Sequence, residues 1–516
     1  MLVRAGLPLP DVPYFCTETA AQWLYPDQPD FTLEHLALRM TSVGQWRPTV
    51  GKLKPDDFDQ MSDEELADRC GGDADAPVHL YPPLAQEIDR TGLRPVWDLA
   101  MDVLPILATI GGTGMAVDRE TLKERAETTV GPWLTQEKAD LQQALGIANL
   151  DSHQQLSEAL YGPRFHATPL RKTRTQGYST DRTCLLWARY QAQTRRDAAL
   201  VALLTRLLEY SVQEKVHSTY YKAWSKAGRP RVHSFYSLGR TATGRLASYQ
   251  YNLQNVPSVA RELIVPSEGY DCIVQADFAQ LEWRIAGHLS QDPVMLQWIR
   301  QGRDVHAITA ARALGLREPQ TKADFVRFKA EHKVQRDVGK MTNFAVLYGI
   351  SADSLSWKIF HDTEGAVWLP PDEVQHYIDA FFRTFAGYKA FTTHLAQRLS
   401  AGEQITSPFQ RQWYFPSNPE GWRKAMNYPV QSMASDLVLL VLRRLARILR
   451  SWKTRIIGEV HDSLVFETVK EERAPLIRLI RQVCEHPSTR PFGFTLAVPL
   501  TIEIARGPTW AKVDPL

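Results

Sequence analysis

The sequence predicts a mixed α/β protein of the α+β kind, on three observations. Residues 273–289, IVQADFAQLEWRIAGHL, open as a short apolar run that ends on Asp277, after which Leu281, Ile285 and Leu289 recur four apart. That change of period reads as strand, turn, helix, and it holds an acidic group rigidly at a sheet edge. Residues 455–469, RIIGEVHDSLVFETV, read as two β-runs around His461 and Asp462, the pattern of a hairpin. Residues 195–216 carry Leu200, Leu203, Leu204, Leu207 and Leu208 on one stripe, as an amphipathic helix does.

With 516 residues and 44% hydrophobic content, the chain is globular and long enough for several domains. No apolar run of about 18 residues is found, so no membrane span is expected. The opening MLVRAGLPLPDVPYF lacks the apolar stretch of a signal peptide. Cys16, Cys70, Cys184, Cys272 and Cys484 form no CxxC pair. Neither a zinc site nor a disulfide framework is expected, and a reducing cytoplasm fits. The net charge of +2 hides an asymmetry. Residues 1–100 hold 8 Lys and Arg against 17 Asp and Glu, a net of −9. Residues 164–245 hold 16 against 4, a net of +12. A local basic excess of that size points to a polyanion such as nucleic acid; a solvated basic surface is the competing reading.

Taken in order, Ser62 and Glu65 form a capping box that opens a helix towards Arg69. Asp73 and Asp75 in CGGDADAP suit a helix start as well as a metal site, and the helix start is favoured. Trp97 to Ile110 reads as an amphipathic helix ended by GGTG, with Met115 to Asp118 a short extended piece and a new helix from Asp118. A basic, breaker-rich loop spans 164–178. With the helix at 195–216 it suits gripping a duplex backbone, where Lys and Arg position without reading sequence. Residues 233–257 are polar and aromatic and offer Arg240, Arg245, Asn252, Gln254 and Asn255 as donors. His306 lies in a segment that opens a helix, and a charged linker helix covers about 317–333. Arg336, Lys340, Phe344 and Tyr348 then recur every four residues, one drifting stripe on a helix stopped by Gly349. Cations and aromatic faces on one stripe suit the phosphates, sugar and base of a nucleoside triphosphate; an amphipathic face with solvated cations is the alternative. Residues 360–425 are rich in Phe, Trp and Pro and carry Arg411. A long helix covers 427–449 with Asn427 and Gln431 near its start, and LAVPLTIEIARGPTW reads as a last strand. If Asp277 and Asp462 converge, they can hold two divalent cations about 3.5–4 Å apart, one on the attacking and one on the leaving oxygen. Phosphoryl transfer needs little beyond positioning and charge neutralisation, and Mg²⁺ prefers carboxylates with substrate phosphates.

Together these stretches resemble family A DNA polymerases, the family of bacterial DNA polymerase I and many phage replicases. DFAQLEWRIAGHLS resembles the first palm motif, RDVGKMTNFAVLYG the fingers-helix motif and VHDSLVFE the second palm motif. TATGRLASYQYNLQNVP, GRDVHAITA and NYPVQSMASD match supporting stretches in order, and NLDSHQQLSEALYG and KTRTQGYST resemble thumb segments. The resemblance covers about 100–516, and 1–100 more weakly. It implies a right-hand polymerase fold: a truncated 3′–5′ exonuclease-like region at 1–100, thumb and connections at 101–235, palm at 236–310, fingers at 311–425 and second palm part at 426–516.

Carried onto this sequence, the resemblance makes Asp277, Asp462 and the Phe278 carbonyl ligands of two Mg²⁺ ions, with Mn²⁺ able to substitute. Arg336 and the catalytic Lys340 bind the triphosphate of an incoming dNTP, and Gln280 and His306 line its site. Phe344 lies against the deoxyribose, in a family where Phe there goes with poor dideoxynucleotide use. Tyr348 and Glu282 form the sugar gate, since a side chain filling the 2′ space rejects a ribose hydroxyl. Arg245, Gln431 and His461 contact the primer terminus and minor-groove edge of the primer-template DNA, where acceptors common to all pairs report geometry; Asn252, Gln254, Arg411 and Asn427 complete the DNA contacts. Ser463 replaces the usual Glu after His-Asp, Ala345 a Gly on the fingers helix, Gln410 a Gly before Arg411 and Ser432 the Gly after Gln431.

Asp73 matches the last metal ligand of the exonuclease domain, but Arg69 stands where that motif carries Tyr, and no earlier Asp-x-Glu is free of the capping box. No autonomous proofreading is therefore expected. The region is read as a vestigial scaffold, or as half of an exonuclease completed by a separate polypeptide; a processivity partner is also open. No 5′-nuclease or helicase is expected. A single-subunit RNA polymerase and an inactive DNA-binding subunit are the rival readings. Glu282 and the TGRL–NLQN stretch speak against the first, and the two intact Asp residues against the second.

Overall fold

The computed structural model describes residues 9–10, 12–28, 30–43, 46, 61–174 and 176–516. The reading of the first eight residues, and Thr175 in the basic loop, lie outside them. The molecule is built on a five-stranded antiparallel sheet in the order Asp514–Pro515, Ile502–Gly507, Cys272–Phe278, Ser463–Thr468, Arg455–Val460. Cys272–Phe278 is central, and its alternation explains why. Cys272, Val274, Ala276 and Phe278 enter the main core, while Ile273 enters a second core with Val465, Ile457 and Trp510. A strand apolar on both faces is stable only when covered on both. The same alternation puts Asp277 on the Ile273 face, at the strand end where apolar cover stops.

The main core is closed by the helix Pro419–Leu449, which buries Val430, Met433, Leu437 and Leu445, and by Leu281–Ser290, which follows the central strand. Asn418 caps the long helix, accepting from Gly421 N at 2.8 Å, and Pro419 occupies its first turn. The helix starts eight residues before the expected 427, because that cap lies upstream of the polar patch around Asn427.

The extended piece and hairpin expected from sequence form at Met115–Val117, Arg455–Val460 and Ser463–Thr468. The Leu stripe is the helix Ala198–Val216, capped by Asp197, and the charged linker helix is Lys322–Glu331, opened by a capping box at Thr321. Two expectations fail. The helix capped at Ser62 does not stop near Arg69; it runs Asp63–Arg90 through Asp73, Asp75 and three prolines, so Asp73 and Asp75 do not start a helix. Its apolar face, Ala76, Leu80, Leu84 and Ile88, joins the main core, and that burial outweighs the helix-breaking residues. The helix Arg94–Thr113 is long and apolar enough by composition to cross a membrane, a feature the search for an uninterrupted apolar run misses. Here it packs on the long helix and the edge strand Arg455–Val460, burying Val96, Trp97, Val103 and Leu107. The stretch 360–425, left without elements in the sequence, holds helices Pro371–Thr384 and Ala386–Ser400 and a small hairpin.

Candidate active site

Strand register brings the two carboxylates together. Asp277 pairs with Ser463 on one side and Glu503 on the other, so the hairpin turn His461-Asp462 lies beside the end of the central strand. Phe278 N donates to Asp462 O at 3.1 Å, tying turn to strand. His461 holds this turn at φ +59° and Gln280 starts the next helix at φ +53°, both in the left-handed region that side chains enter at a cost. The backbone strain thus sits on either side of the acidic pair.

A cleft of about 370 Å³ opens there, lined by Asp277, Phe278, Gln280, Glu282, His306, Arg336, Lys340, Phe344, Asp462 and Glu503. Desolvation in the cleft, Asp462 and Glu503 push the Asp277 carboxyl up to about 6, against the opposing charge of Arg261. Burial also raises Asp462, against Arg245 and His461. Two carboxylates that resist ionising together form a site that a divalent cation relieves, and the donor set is hard oxygen, as Mg²⁺ prefers. Among the described residues no three His, Cys, Asp or Glu are grouped to hold a metal. By the chemistry of their oxygens, Asp277 and Asp462, with the Phe278 carbonyl, fit a hard divalent ion that takes its other ligands from phosphates and water. A larger cavity, about 1,220 Å³ between Arg94–Thr113 and the end of the long helix, contains none of these groups.

The helix Lys333–Leu347 forms the opposite wall. Gly339 lets it cross Val305–Ala313 closely, since a Cβ there would lie 2.4 Å from the His306 carbonyl oxygen. Arg336 Nε donates to Asp304 at 2.7 Å, which aims its guanidinium, while Lys340 is exposed to the cleft. His306 is buried against Asn343, 3.0 Å from its Nδ1, with Gln280 3.1 Å from Nε2. Burial lowers His306 to about 4, so it is neutral and serves as a hydrogen-bonding post rather than a charge. The Phe344 ring lies 5.6 Å from the His306 ring. Tyr348 donates its hydroxyl to Glu282, and Arg245 pairs with the other Glu282 oxygen. Glu282 is 4% exposed, and burial pushes it up to about 7, opposed by Arg245.

The DNA-contact expectations divide. His461 is exposed, Gln431 is half-buried, and Asn427 keeps a buried Oδ1 with no hydrogen-bond partner. Arg411 is 5% exposed, its Nε donates to both oxygens of the fully buried Asp436, and its guanidinium stacks 3.9 Å from the Trp23 ring centre. Gln254 is also buried, donating to Glu459 at 2.7 Å and to Leu246 O at 3.1 Å; Asn252 caps the turn that holds it. Arg411 and Gln254 are thus held by the protein's own buried carboxyls, which come from distant segments, while Asn252 is exposed and bonded to its near neighbours Ser248 and Gln254. Asp73 lies in the helix interior, accepting from Trp46 Nε1 at 2.9 Å. Asp304, Asn343 and Glu503 were missed. The only trace of Glu503 in sequence is a lone acid in an otherwise apolar run.

An antiparallel sheet with one acidic residue at the end of its central strand and a second in the adjoining hairpin turn, faced by a helix of cations and aromatics, defines a polymerase-type domain. The POL domain of Pol1 from M. smegmatis, in complex with DNA primer-template and dNTP, has the same fold: TM-score 0.77 at 24% identity, covering 98% of this chain and 83% of that one. Residues 120–512 match the family model of DNA polymerase family A, and the chain belongs to that family. DNA polymerase I of Chloroflexus aurantiacus is 30% identical over 492 residues, 89% of this chain and 48% of that protein. That of Synechocystis sp. is 28% identical over 501 residues, 90% and 47% respectively. The chain spans about half the length of the curated relatives it matches.

Proposed function

We propose that the chain is a DNA-directed DNA polymerase that extends a primer 3′ end with deoxynucleoside triphosphates in replication, in a phage-type setting and in the cytoplasm. The observation that carries this reading is the convergence of Asp277 and Asp462 opposite Arg336 and Lys340 in one cleft. Bound Mg²⁺ would activate the primer hydroxyl and neutralise the departing pyrophosphate. Arg336 and Lys340 hold the triphosphate, Arg336 pre-aimed by Asp304. Gln280, held by neutral His306, donates to phosphate or sugar without adding charge, and Phe344 packs on the deoxyribose. Tyr348, fixed by Glu282, fills the space a 2′-hydroxyl needs. Around this site the reading sets a palm on the central sheet, fingers on the Lys333–Leu347 side and a thumb in the basic helices of 101–235. In the N-terminal region we assign Asp73 a structural role through Trp46, with no autonomous proofreading.

Primer extension with Mg²⁺ tests the reading. Asp277→Asn is expected to lower the rate at least about a hundredfold with folding intact by circular dichroism; undiminished extension rejects the assigned site. Ribonucleotides used in preference to deoxynucleotides would favour an RNA polymerase. Shortening of a mismatched primer without nucleotides would overturn the scaffold role, and such shortening only after adding host extract would favour a separate exonuclease chain.

A further inference from the structure

The basic helical arm and the helix after Tyr348 meet at a seam the polymerase reading does not use. Trp187, on the helix Arg182–Thr194, has its ring 5.4 Å from that of Trp357, 5.8 Å from Phe360 and 5.3 Å from Trp368. Trp357 and Phe360 lie on the helix Ala352–Asp362. Phe360 is fully buried and belongs to a core otherwise drawn from residues 134–210. Polar contacts flank the aromatics: Arg182 Nη2 donates to Glu364 Oε2 at 2.6 Å, and Arg189 donates to the Glu364 carbonyl. A Cβ at Gly365 would lie 3.6 Å from Leu186, so the chains touch along the seam.

Both partners are rooted on the central sheet. The base of the basic arm, Val216, Tyr221 and Trp224, packs with Ile273 and Val465. The Lys333–Leu347 helix sends Val338, Ala345 and Leu347 into the core of Phe278 and Leu281. Two arms rooted on one sheet and also packed on each other form a closed circuit of contacts. We propose that this Trp-rich seam is a latch that closes the thumb onto the fingers and makes the DNA cleft a ring, so that primer-template is retained by enclosure as well as by charge. The inference rests on the proposed polymerase function. The seam is flanked by one ion pair, and both segments stay anchored to the sheet by cores that do not include it, so it can part and re-form while those anchors hold.

The test is the length of DNA made per binding event, on primed single-stranded DNA with a heparin trap, using the full chain. Glu364→Arg places like charge against Arg182 and Arg189 at an exposed position; Trp357→Ser with Trp368→Ser opens the aromatic seam. Both are expected to shorten products roughly threefold or more by faster DNA release, with the rate of the first insertion from a preformed complex unchanged. Unchanged product length, or faster DNA loading without any shortening, overturns the ring. Independently, Arg182→Cys with Glu364→Cys is joined by a short bismaleimide after loading on a primed circle, beside wild type treated identically. The joined protein is expected to stay on the circle at about 1 M salt, where charge contacts are screened, until the circle is cut. Release from the intact circle overturns the proposal. A wild-type chain that inserts no nucleotide would instead reject the polymerase reading itself.

Discussion

Glu459 lies on the strand that runs into the turn carrying Asp462 and shows what burial does to a carboxyl at this site. Burial pushes it up to about 8, eased by the hydrogen bond from Gln254, so it keeps its proton near neutrality. In the unfolded chain it loses that proton near about 4.3. Between these values the folded state binds more protons, so its stability falls as pH rises from about 4 to about 8. Glu459→Gln keeps the neutral hydrogen-bonding shape and removes that slope. Melting curves from pH 5 to 9 are expected to converge at low pH, with the variant more stable by a few kcal/mol at high pH. Glu282 has a different task, since its two oxygens hold Tyr348 and Arg245. Glu282→Ala is expected to free the Tyr348 ring and raise ribonucleotide incorporation about tenfold or more, in competition assays against deoxynucleotides.

Among the elements, the helix pair Lys333–Leu347 and Val305–Ala313 carries the groups proposed to hold the nucleotide. Its stripe of Arg336, Lys340, Phe344 and Tyr348 was legible because helical period depends on near neighbours alone. The need for Gly339 was not, since it comes from the His306 carbonyl on another helix. Gly339→Ala is expected to push the helices apart, misplace Arg336 and His306, and raise KM for the incoming nucleotide about tenfold with a smaller change in kcat, read by steady-state extension. The capping box at Ser62 was also legible, but not the length of its helix. Three prolines and two glycines argue locally for a break, and only the core under Leu80, Leu84 and Ile88 sustains it.

At the scale of the whole molecule, the acidic N-terminal region is part of the main core. Ala20, Leu36, Leu80 and Trp97 bury against the same cluster that contains Phe278 and Leu437. Deleting residues 1–93 is expected to leave the chain aggregated or lacking a cooperative melt, through exposure of that apolar face; a soluble fragment with unchanged melting would refute the scaffold role.

The sequence by itself determined the local pieces: Asp277 at a strand end, Asp462 in a hairpin turn, and four nucleotide-type residues on one helical stripe. Each depends on residues a few positions away, so periodicity and turn chemistry suffice. Only the tertiary structure decided that Asp277 lies beside Glu503 on the neighbouring strand, that Arg411 pairs with Asp436, and that Glu282 joins Tyr348 to Arg245. Those pairings are set by strand register and helix packing between segments far apart in the chain, and a residue's type does not reveal whether its partner is a ligand or the protein's own interior.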